Sequence, residues 1–294
     1  MYQKNRIGIF CNPLAVPPIQ IIIEIANLIK EHEGTLIVHK TIALHEVMAE
    51  FNNEFDTFST AEEASEKIDM LFSIGGDGTF LSTVPFVLNG SIPVIGINAG
   101  RLGFLANVAQ DQTEFALKNW LEGNYTIFER TLLEVISPTE VIQKKYALND
   151  ITIRRNDSAN MMSFNVDIDG EFLNNYWADG VLFATATGST AYSLSCGGPI
   201  LHPNTQAFIV TPIASHNLTV RPLVISDNSI ITISTAGRSD HFSLSIDSDN
   251  YTISTNEPIT LRKSLQTIKT IVFEKISFYD SIRDKLSWGI DKRN

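Results

Sequence analysis

Strands alternating with helices over the first third of the chain, then strands with few helices, predict an α/β N-terminal domain with a parallel sheet, followed by a many-stranded all-β C-terminal domain. A second observation agrees: the apolar run Met70-Leu71-Phe72-Ser73-Ile74 leads directly into Gly75-Gly76-Asp77-Gly78-Thr79, a strand entering a tight loop. A third is size, since 294 residues at 44% hydrophobic composition suffice for two cores. The division is expected after residue 107, with 1–107 as the α/β domain, 108–269 as the mostly β domain, and 270–294 returning to the first.

Residues Arg6 to Phe10 form the first apolar strand. Cys11-Asn12-Pro13 then opens a loop that Pro17-Pro18 keeps out of helix. From Ile19 to His32, Ile22, Ile23, Ala26, Leu28 and Ile29 recur at roughly helical spacing, and Gly34 stops the pattern. Leu36-Ile37-Val38 is a strand, Ala61 to Lys67 a polar helix, and Pro93-Val94-Ile95-Gly96-Ile97 a strand after the helix that starts at Thr79. Gln112 to Leu121 is one more helix, with Phe115, Leu117, Trp120 and Leu121 as its apolar face and Gly123-Asn124 as its stop. Leu132–Ile136, Ile151–Ile153, Phe164–Ile168, Val181–Ala184, Ile230–Ser234, Phe242–Ile246 and Ile259–Leu261 read as strands. Asp280 to Gly289 reads as a final helix.

The glycine loop carries the first chemical signal. Glycine at 75, 76 and 78 removes the Cβ atoms that hold a bulky anion away from the backbone. If Thr79 begins a helix, loop and first-turn N–H groups converge on a site for phosphate, with Gly75, Gly76 and Thr79 as its candidates. Asp77 is out of place in such a cradle unless a metal or a proton transfer requires a carboxylate. A plain βα turn with Asp77 as turn residue or N-cap accounts for the same letters. Two other phosphate loops are excluded by spacing: no Gly-Lys-Ser or Gly-Lys-Thr occurs, and Leu81 stands where G-x-G-x-x-G needs its third glycine.

A formal net charge of −11 argues against nucleic acid or an anionic membrane as partner. No run of 18 apolar residues and no signal-peptide pattern is present, and cysteines number two, Cys11 and Cys196, without metal-ligand spacing. A cytoplasmic protein with reduced thiols is expected. The six histidines form no zinc motif. Asp167-Ile168-Asp169-Gly170 and Asp247-Ser248-Asp249-Asn250 lack the twelfth-position glutamate of a calcium loop and read as hairpin turns.

A second constellation follows the strand Val181-Leu182-Phe183-Ala184: Thr185-Ala186-Thr187-Gly188-Ser189-Thr190-Ala191-Tyr192-Ser193-Leu194-Ser195. So many small hydroxyl residues are poor core material, and they can supply donors to a sugar and phosphates. A helix start capped by Ser189 or Thr190 is compatible with that. The pattern is not G-x-S-x-G, so a serine-hydrolase elbow is unsupported.

The glycine loop, Asn98-Ala99-Gly100-Arg101-Leu102-Gly103-Phe104-Leu105, Asn149-Asp150, Ala178-Asp179-Gly180, Thr187 to Ser195 and Gly197-Gly198-Pro199-Ile200 occur in this order. Together they resemble the bacterial NAD kinases, over about Ile7 to Gly289. The resemblance implies an α/β plus β fold, a homo-tetramer or dimer, and transfer of the γ-phosphoryl group of ATP to the 2′-OH of the adenosine ribose of NAD, with Mg²⁺ on the nucleotide. It implies Asp77 as base at that hydroxyl and Gly78 against the ligand. Asn149 and Asp150 match an NAD-binding pair, and Asp179 a carboxylate near the nicotinamide end. Thr187, Thr190, Ala191, Tyr192 and Ser195 match the adenosine-binding run, with Phe104 and Ala214 beside the adenine. Two departures stand out: the family pair is usually Asn-Glu, so the shorter Asp150 must reach by a backbone shift or through water, and Asp249 stands where many members have Gln. A lipid or sphingoid-base kinase shares Gly-Gly-Asp-Gly-Thr but leaves the Thr187 to Ser195 run without a role. A non-catalytic NAD or NADP sensor leaves Asp77 without one.

Overall fold

The computed structural model describes residues 5–12, 18–44, 48, 55–88, 92–100, 103–156, 162–237, 240–274 and 276–288. The chain divides into two compact units, one of Met1–Glu129 with Ile268–Asn294 and the other of Arg130–Thr267. The predicted helix around 112–121 lies in the first unit, not with the β domain, because its Ala116 and Leu117 are buried in that unit's core.

In the first unit β1 (Arg6–Phe10), α1 (Ile19–Glu31), β2 (Thr35–His39), α2 (Lys40–Ala43), β3 (Asp56–Phe58), α3 (Ala61–Lys67), β4 (Met70–Gly75), α4 (Asp77–Val87) and β5 (Val94–Asn98) alternate. The short β6 (Val108–Ala109) and α5 (Thr113–Glu122) follow. These strands pair in parallel, in the order β3-β2-β1-β4-β5, with β6 beside β5. The four-residue α2 and the short strands β3 and β6 are too brief to show periodicity in sequence. Local chemistry sets the ends: the Thr60 hydroxyl caps α3 by accepting from Glu63 N, and α5 stops at Gly123, whose φ is 75°. Strand order reverses between β1 and β4, the switch point at which open α/β sheets leave a crevice at the strands' carboxyl ends. The glycine loop is the connection leaving β4 at that end.

The second unit contains most of β7 (Thr126–Ser137), then β8 (Tyr146–Ala147), β9 (Asp150–Arg155), β10 (Met162–Ile168), β11 (Glu171–Trp177), β12 (Gly180–Thr185), the one-turn α6 (Tyr192–Ser195), β13 (Ala207–Ile213), β14 (Leu223–Ser226), β15 (Ile231–Gly237), β16 (His241–Ile246), β17 (Asp249–Ser254) and most of β18 (Ile259–Val272). One antiparallel sheet runs β14-β13-β12-β9-β16-β17, and another pairs β11, β10, β15 and the start of β18. Phe164, Val166, Ile231 and Ile233 of the one share a buried cluster with Ile151, Ile153, Val181, Phe183, Phe208, Phe242 and Leu244 of the other. This is sandwich packing. Strands β11, β14 and β17 are not expected from the sequence: Asn174 and Asn175 interrupt β11, Asp249 and Asn250 open β17, β14 is mostly exposed, and each lies at a sheet edge. Both expected hairpin turns form, at Asp169-Gly170 (φ 55° and 82°) and at Asp247-Ser248, where Asp247 has φ 50°.

The last helix, α7 (Phe278–Leu286), belongs to the first unit; it starts two residues before the expected Asp280 and ends short of the expected Gly289, itself outside the described residues, because Ser287 turns into left-handed backbone at φ 51°. Cys11 and Cys196 are free thiols, and burial pushes the Cys11 thiol up to about 11.

Phe164→Ala empties a fully buried site in the sandwich and is expected to cost about 3–5 kcal/mol of unfolding free energy. Leu265→Ala, at a side chain 94% exposed, should stay within about 0.5 kcal/mol. Chemical denaturation of the two variants beside the parent checks the contrast.

Candidate active site

In the first unit the site is built around one side chain. β4 is buried through Ile74, the backbone turns at Gly75 and Gly76, and α4 begins with Asp77, so Gly76 and not Asp77 is the N-cap. The helix also starts two residues earlier than the apolar pattern from Thr79 implies. Where side chains at positions 76 and 78 would stand there is open space, beside the positive end of an eleven-residue helix. That is a backbone cradle suited to an anion.

The Asp77 carboxylate turns away from a capping role. Its Oδ2 accepts from Phe104 N at 3.0 Å, and its Oδ1 accepts from Leu105 N at 2.9 Å and Ala106 N at 3.0 Å. Lys285 Nζ of α7 reaches Oδ2 at 3.3 Å. The approach is close enough to demand glycine at 103, where a Cβ would stand 1.9 Å from Oδ1. Burial pushes the Asp77 carboxyl up, but the three amides and the Lys285 ammonium outweigh it and hold the group below the usual carboxylate range. Asp77 is therefore an ionised acceptor at neutral pH. The Phe104 ring lies 4.5 Å under Lys285 Nζ and 6.1 Å from the Phe278 ring. Asn98 is buried and bonds Gly100 N and Ala106 O, tying the two ends of the same loop together. Arg101 and Leu102 lie outside the described residues.

In the second unit a matching arrangement holds Asn149-Asp150. Asp247, at the β16–β17 turn, is brought alongside β9 by the pairing of Ile246 with Ile151. Its carboxylate accepts from Leu148 N at 3.0 Å, Asn149 N at 2.9 Å and Asp150 N at 3.2 Å. Lys144 Nζ lies 3.8 Å from Asp247 Oδ2 and 3.1 Å from Asp249 Oδ2. Against the same backbone packs Gly188, where a Cβ would sit 2.0 Å from the Asn149 carbonyl oxygen. Asn149 O also accepts from Thr185 N at 2.9 Å. Asn149-Asp150 and the start of the hydroxyl run are thus one structure.

That run is not poor core material: Thr187, Gly188, Ser189 and Ser193 are all buried. Nor does Ser189 or Thr190 cap a helix, since Ala191 precedes α6 and no side chain caps it. Ser189 Oγ bonds Ala186 O and accepts from Leu201 N, and Ser193 Oγ meets Thr211 Oγ1 at 3.1 Å. Those two hydroxyls are structural. Thr187 Oγ1 accepts from the buried Arg130 at 3.2 Å, Thr190 Oγ1 donates to Thr187 O, and Ala191 lies half-buried behind them. Tyr192 and Ser195 are exposed. Asp179 is ion-paired with Arg155 at 2.7 Å, and Asp179 N donates to Ile213 O, next to Ala214 in left-handed backbone at φ 47°. Sequence reasoning missed Arg130, Arg155, Asp247 and Lys285; a lone charge far from any motif gives no signal until register and packing supply its partner.

Asp150 is buried, and its Oδ1 accepts from Thr152 Oγ1 at 3.1 Å. Burial and the neighbouring Asp247 charge push its carboxyl up to about 7. Burial pushes the Asp247 carboxyl up as well, but Lys144 and three amides oppose that shift at Asp247 while only the Thr152 hydroxyl does so at Asp150, so of the pair Asp150 is the one that more readily holds the proton.

The first unit's parallel sheet, with its loop-and-helix anion cradle beside an ionised carboxylate, joined in sequence to an antiparallel sandwich, defines a two-domain nucleotide-binding protein equipped for phosphoryl transfer. Residues 7–125 match the model of the ATP-NAD kinase N-terminal domain, and residues 148–273 that of the ATP-NAD kinase C-terminal domain. The chain is 42% identical over 279 residues to the NAD kinase of Flavobacterium psychrophilum, covering 94% of this chain and 90% of that one. It is 40% identical over 272 residues to the NAD kinase of Cytophaga hutchinsonii, covering 92% and 90%. Its fold superposes on that of a yeast NADH kinase complexed with NADH at a TM-score of 0.87 and 26% identity, covering 98% of this chain and 89% of that one. An NAD kinase from Archaeoglobus fulgidus in complex with ATP shares the fold at a TM-score of 0.75 and 24% identity, covering 97% and 100%. The chain belongs to the ATP-NAD kinase family.

The raised Asp150 pKa has a definite sign. Between the unfolded value of about 4 and the folded value of about 7, the folded chain keeps a proton that the unfolded chain has lost. Stability from this group is therefore full below about pH 4 and is lost as pH rises through about 7. Asp150→Asn cannot ionise, so its stability relative to the parent is expected to rise over that window and then level off. Denaturant melts of both proteins at a series of pH values test this, and a difference that does not vary with pH contradicts it.

Proposed function

We propose that this chain transfers the γ-phosphoryl group of ATP to the 2′-OH of the adenosine ribose of NAD, with Asp77 receiving the hydroxyl hydrogen. The ribose oxygen bonds to the γ-phosphorus, the bond from that phosphorus to the β,γ-bridging oxygen breaks, and ADP leaves. The observation that carries the role of Asp77 is an ionised carboxylate fixed by three amides beside an open anion cradle. Its lowered pKa makes it a weak base, which suits this reaction. A loose transition state develops little charge on the nucleophile until late, so a fixed acceptor first orients the hydroxyl and takes its proton as the new P–O bond forms.

Gly75, Gly76, Gly78 and Thr79 are assigned to the phosphates. Phe104, Asn149, Asp150, Asp179, Thr187, Thr190, Ala191, Tyr192, Ser195 and Ala214 are assigned to NAD. A proton held by Asp150 adds a donor to that set, so the short side chain offers either polarity to a ligand hydroxyl near neutral pH. Among the described residues no three His, Cys, Asp or Glu side chains gather to hold an ion, and the Asp77 oxygens are engaged by amides and an ammonium. Those residues fit a Mg²⁺ that arrives on the triphosphate, where few protein ligands are needed. Bound there it neutralises phosphate charge. Exposed Leu223 and Val224 on β14 and Phe172 and Trp177 on β11, both edge strands, support a homo-oligomer, a dimer or a tetramer. No helix among the described residues is long and apolar enough to cross a membrane, and the free thiols suit a reducing cytoplasm.

Asp77→Asn keeps size and removes proton acceptance. Turnover of NAD with Mg-ATP is expected to fall by about 10² to 10⁴, with NAD affinity changed little. Single-turnover NADP formation, with NAD binding measured on the same protein, decides it. Near-parental turnover removes Asp77 from the chemistry, and recovery on raising Mg²⁺ reassigns it to the metal.

A further inference from the structure

The ionised Asp77 has about four lone-pair positions, two on each oxygen. Leu105 N and Ala106 N fill those of Oδ1, while Phe104 N and Lys285 Nζ fill those of Oδ2. A ribose hydroxyl that donates to this carboxylate must therefore take a position already held. The three amides belong to backbone fixed by Gly103 and Asn98 and cannot leave without unfolding the loop. Lys285 can. Its contact is the longest of the four at 3.3 Å, its side chain is 35% exposed, and it stands on a flexible four-carbon stem.

The ammonium is also where the cradle lacks charge. From Met70 to Val87 the sequence has no Lys or Arg, and the chain carries a net charge of −11. Lys285 comes from 208 residues away in sequence, at the last turn of α7, and lies over the Phe104 ring. Phe278, the first residue of the same helix, packs on that ring too. Both ends of α7 thus bear on Phe104, and Lys285 is aimed at Asp77 by packing. The plain alternative is a helix tether, with the cation merely complementing the C-terminal dipole beside Arg283.

We propose that Lys285 is a positioning residue for phosphoryl transfer, reserving on Asp77 Oδ2 the position that the substrate hydroxyl takes and moving to the incoming phosphates when the hydroxyl arrives. The exchange is balanced. Asp77 loses one cationic donor and gains a hydroxyl donor, while the ammonium leaves one anion for another beside it, so neither buried charge is left alone. This rests on Asp77 as the proton acceptor.

Steady-state kinetics of Lys285→Met, Lys285→Arg, Asp77→Asn and the Asp77→Asn/Lys285→Met double variant test it, with thermal melts of each. Lys285→Met is expected to lower kcat about ten- to a hundredfold, the range for a hydrogen bond to a charged group, with KM for NAD unchanged or lower because the position is no longer contested. Lys285→Arg keeps the charge but grips a carboxylate with a two-pronged fork, so KM for NAD should rise while most of kcat is retained. In the Asp77→Asn background Lys285→Met should still lower kcat, because the phosphates still lack their cation, but any fall in KM for NAD should disappear, because a neutral amide holds no ammonium in the hydroxyl's position. A rise in KM for NAD in Lys285→Met, or loss of kcat and melting temperature together in both Lys285 variants, overturns the role. A crippled Asp77→Asn beside an unaffected Lys285→Met sinks the Lys285 role and leaves the Asp77 reading standing. Parental activity in Asp77→Asn sinks that reading itself.

Discussion

A carboxylate accepting three successive backbone N–H groups is the interaction on which each unit's candidate site depends. Asp77 does this for Phe104 to Ala106, and Asp247 does it for Leu148 to Asp150. Loops that bend sharply leave consecutive amides pointing one way with no ladder to join, and buried amides must find acceptors. One carboxylate supplies them all, and charge-assisted bonds to it are stronger than neutral ones. Removing either carboxylate would leave three donors unsatisfied, at about 1–3 kcal/mol each. Both loops therefore depend on their pins for shape before any ligand is considered.

The two pins differ in what remains available. The Asp247 side chain is fully buried, and its remaining neighbour is Lys144 at 3.8 Å, so it is a structural anion whose charge acts on Asp150. The Asp77 side chain is 28% exposed, and its fourth position is held by the partly exposed Lys285 ammonium at 3.3 Å. The same hydrogen-bond pattern thus gives a fixed support in one unit and a usable acceptor in the other. Their local backbones agree with this division. Asp247 adopts φ 50°, a left-handed conformation that Asp tolerates and that folds its carboxylate back under β9, whereas Asp77 sits in ordinary helix at the N-terminus of α4, where the dipole favours its charge.

What was legible in the sequence was local. Met70 to Ile74 entering three glycines could hardly be anything other than a strand and a tight loop, and Asp169-Gly170 carries its turn in its own letters. The ordered motifs named the family for the same reason, since each is a short segment with its own chemistry. Partners were not legible. Asp247 lies 99 residues from Leu148, and only the register of β16 on β9 makes it more than a turn residue. Edge strands such as β11 and β17 hid because each buries little, Tyr176 in the one and Ile253 in the other, and Asn174-Asn175 and Asp249-Asn250 read as turn residues. The N-cap expected at Ser189 or Thr190 failed because the first hydroxyl is spent on Ala186 and Leu201 and the second bonds back to Thr187.

The hydroxyl run shows why site and core are hard to separate in the second unit. Every residue of β12 is buried, so the strand needs cover on both faces. The sandwich core covers one with Val181 and Phe183, and the cluster of Leu182, Ala184 and Ile209 with Leu201 covers the other. Ser189 holds Leu201 in place through its backbone, and Ser193 is joined to Thr211 of β13. The segment carrying Thr187, Thr190, Ala191, Tyr192 and Ser195 is therefore fastened over the outer face of β12 by hydroxyls of its own that are turned inward. Small hydroxyl residues are suited to both tasks: they satisfy buried backbone groups in little volume where the chain faces the sheet, and they leave the surface shallow where it faces outward. A loop assembled this way inherits the rigidity of the strand beneath it, so the NAD contacts proposed for its outer residues would need little further ordering on binding.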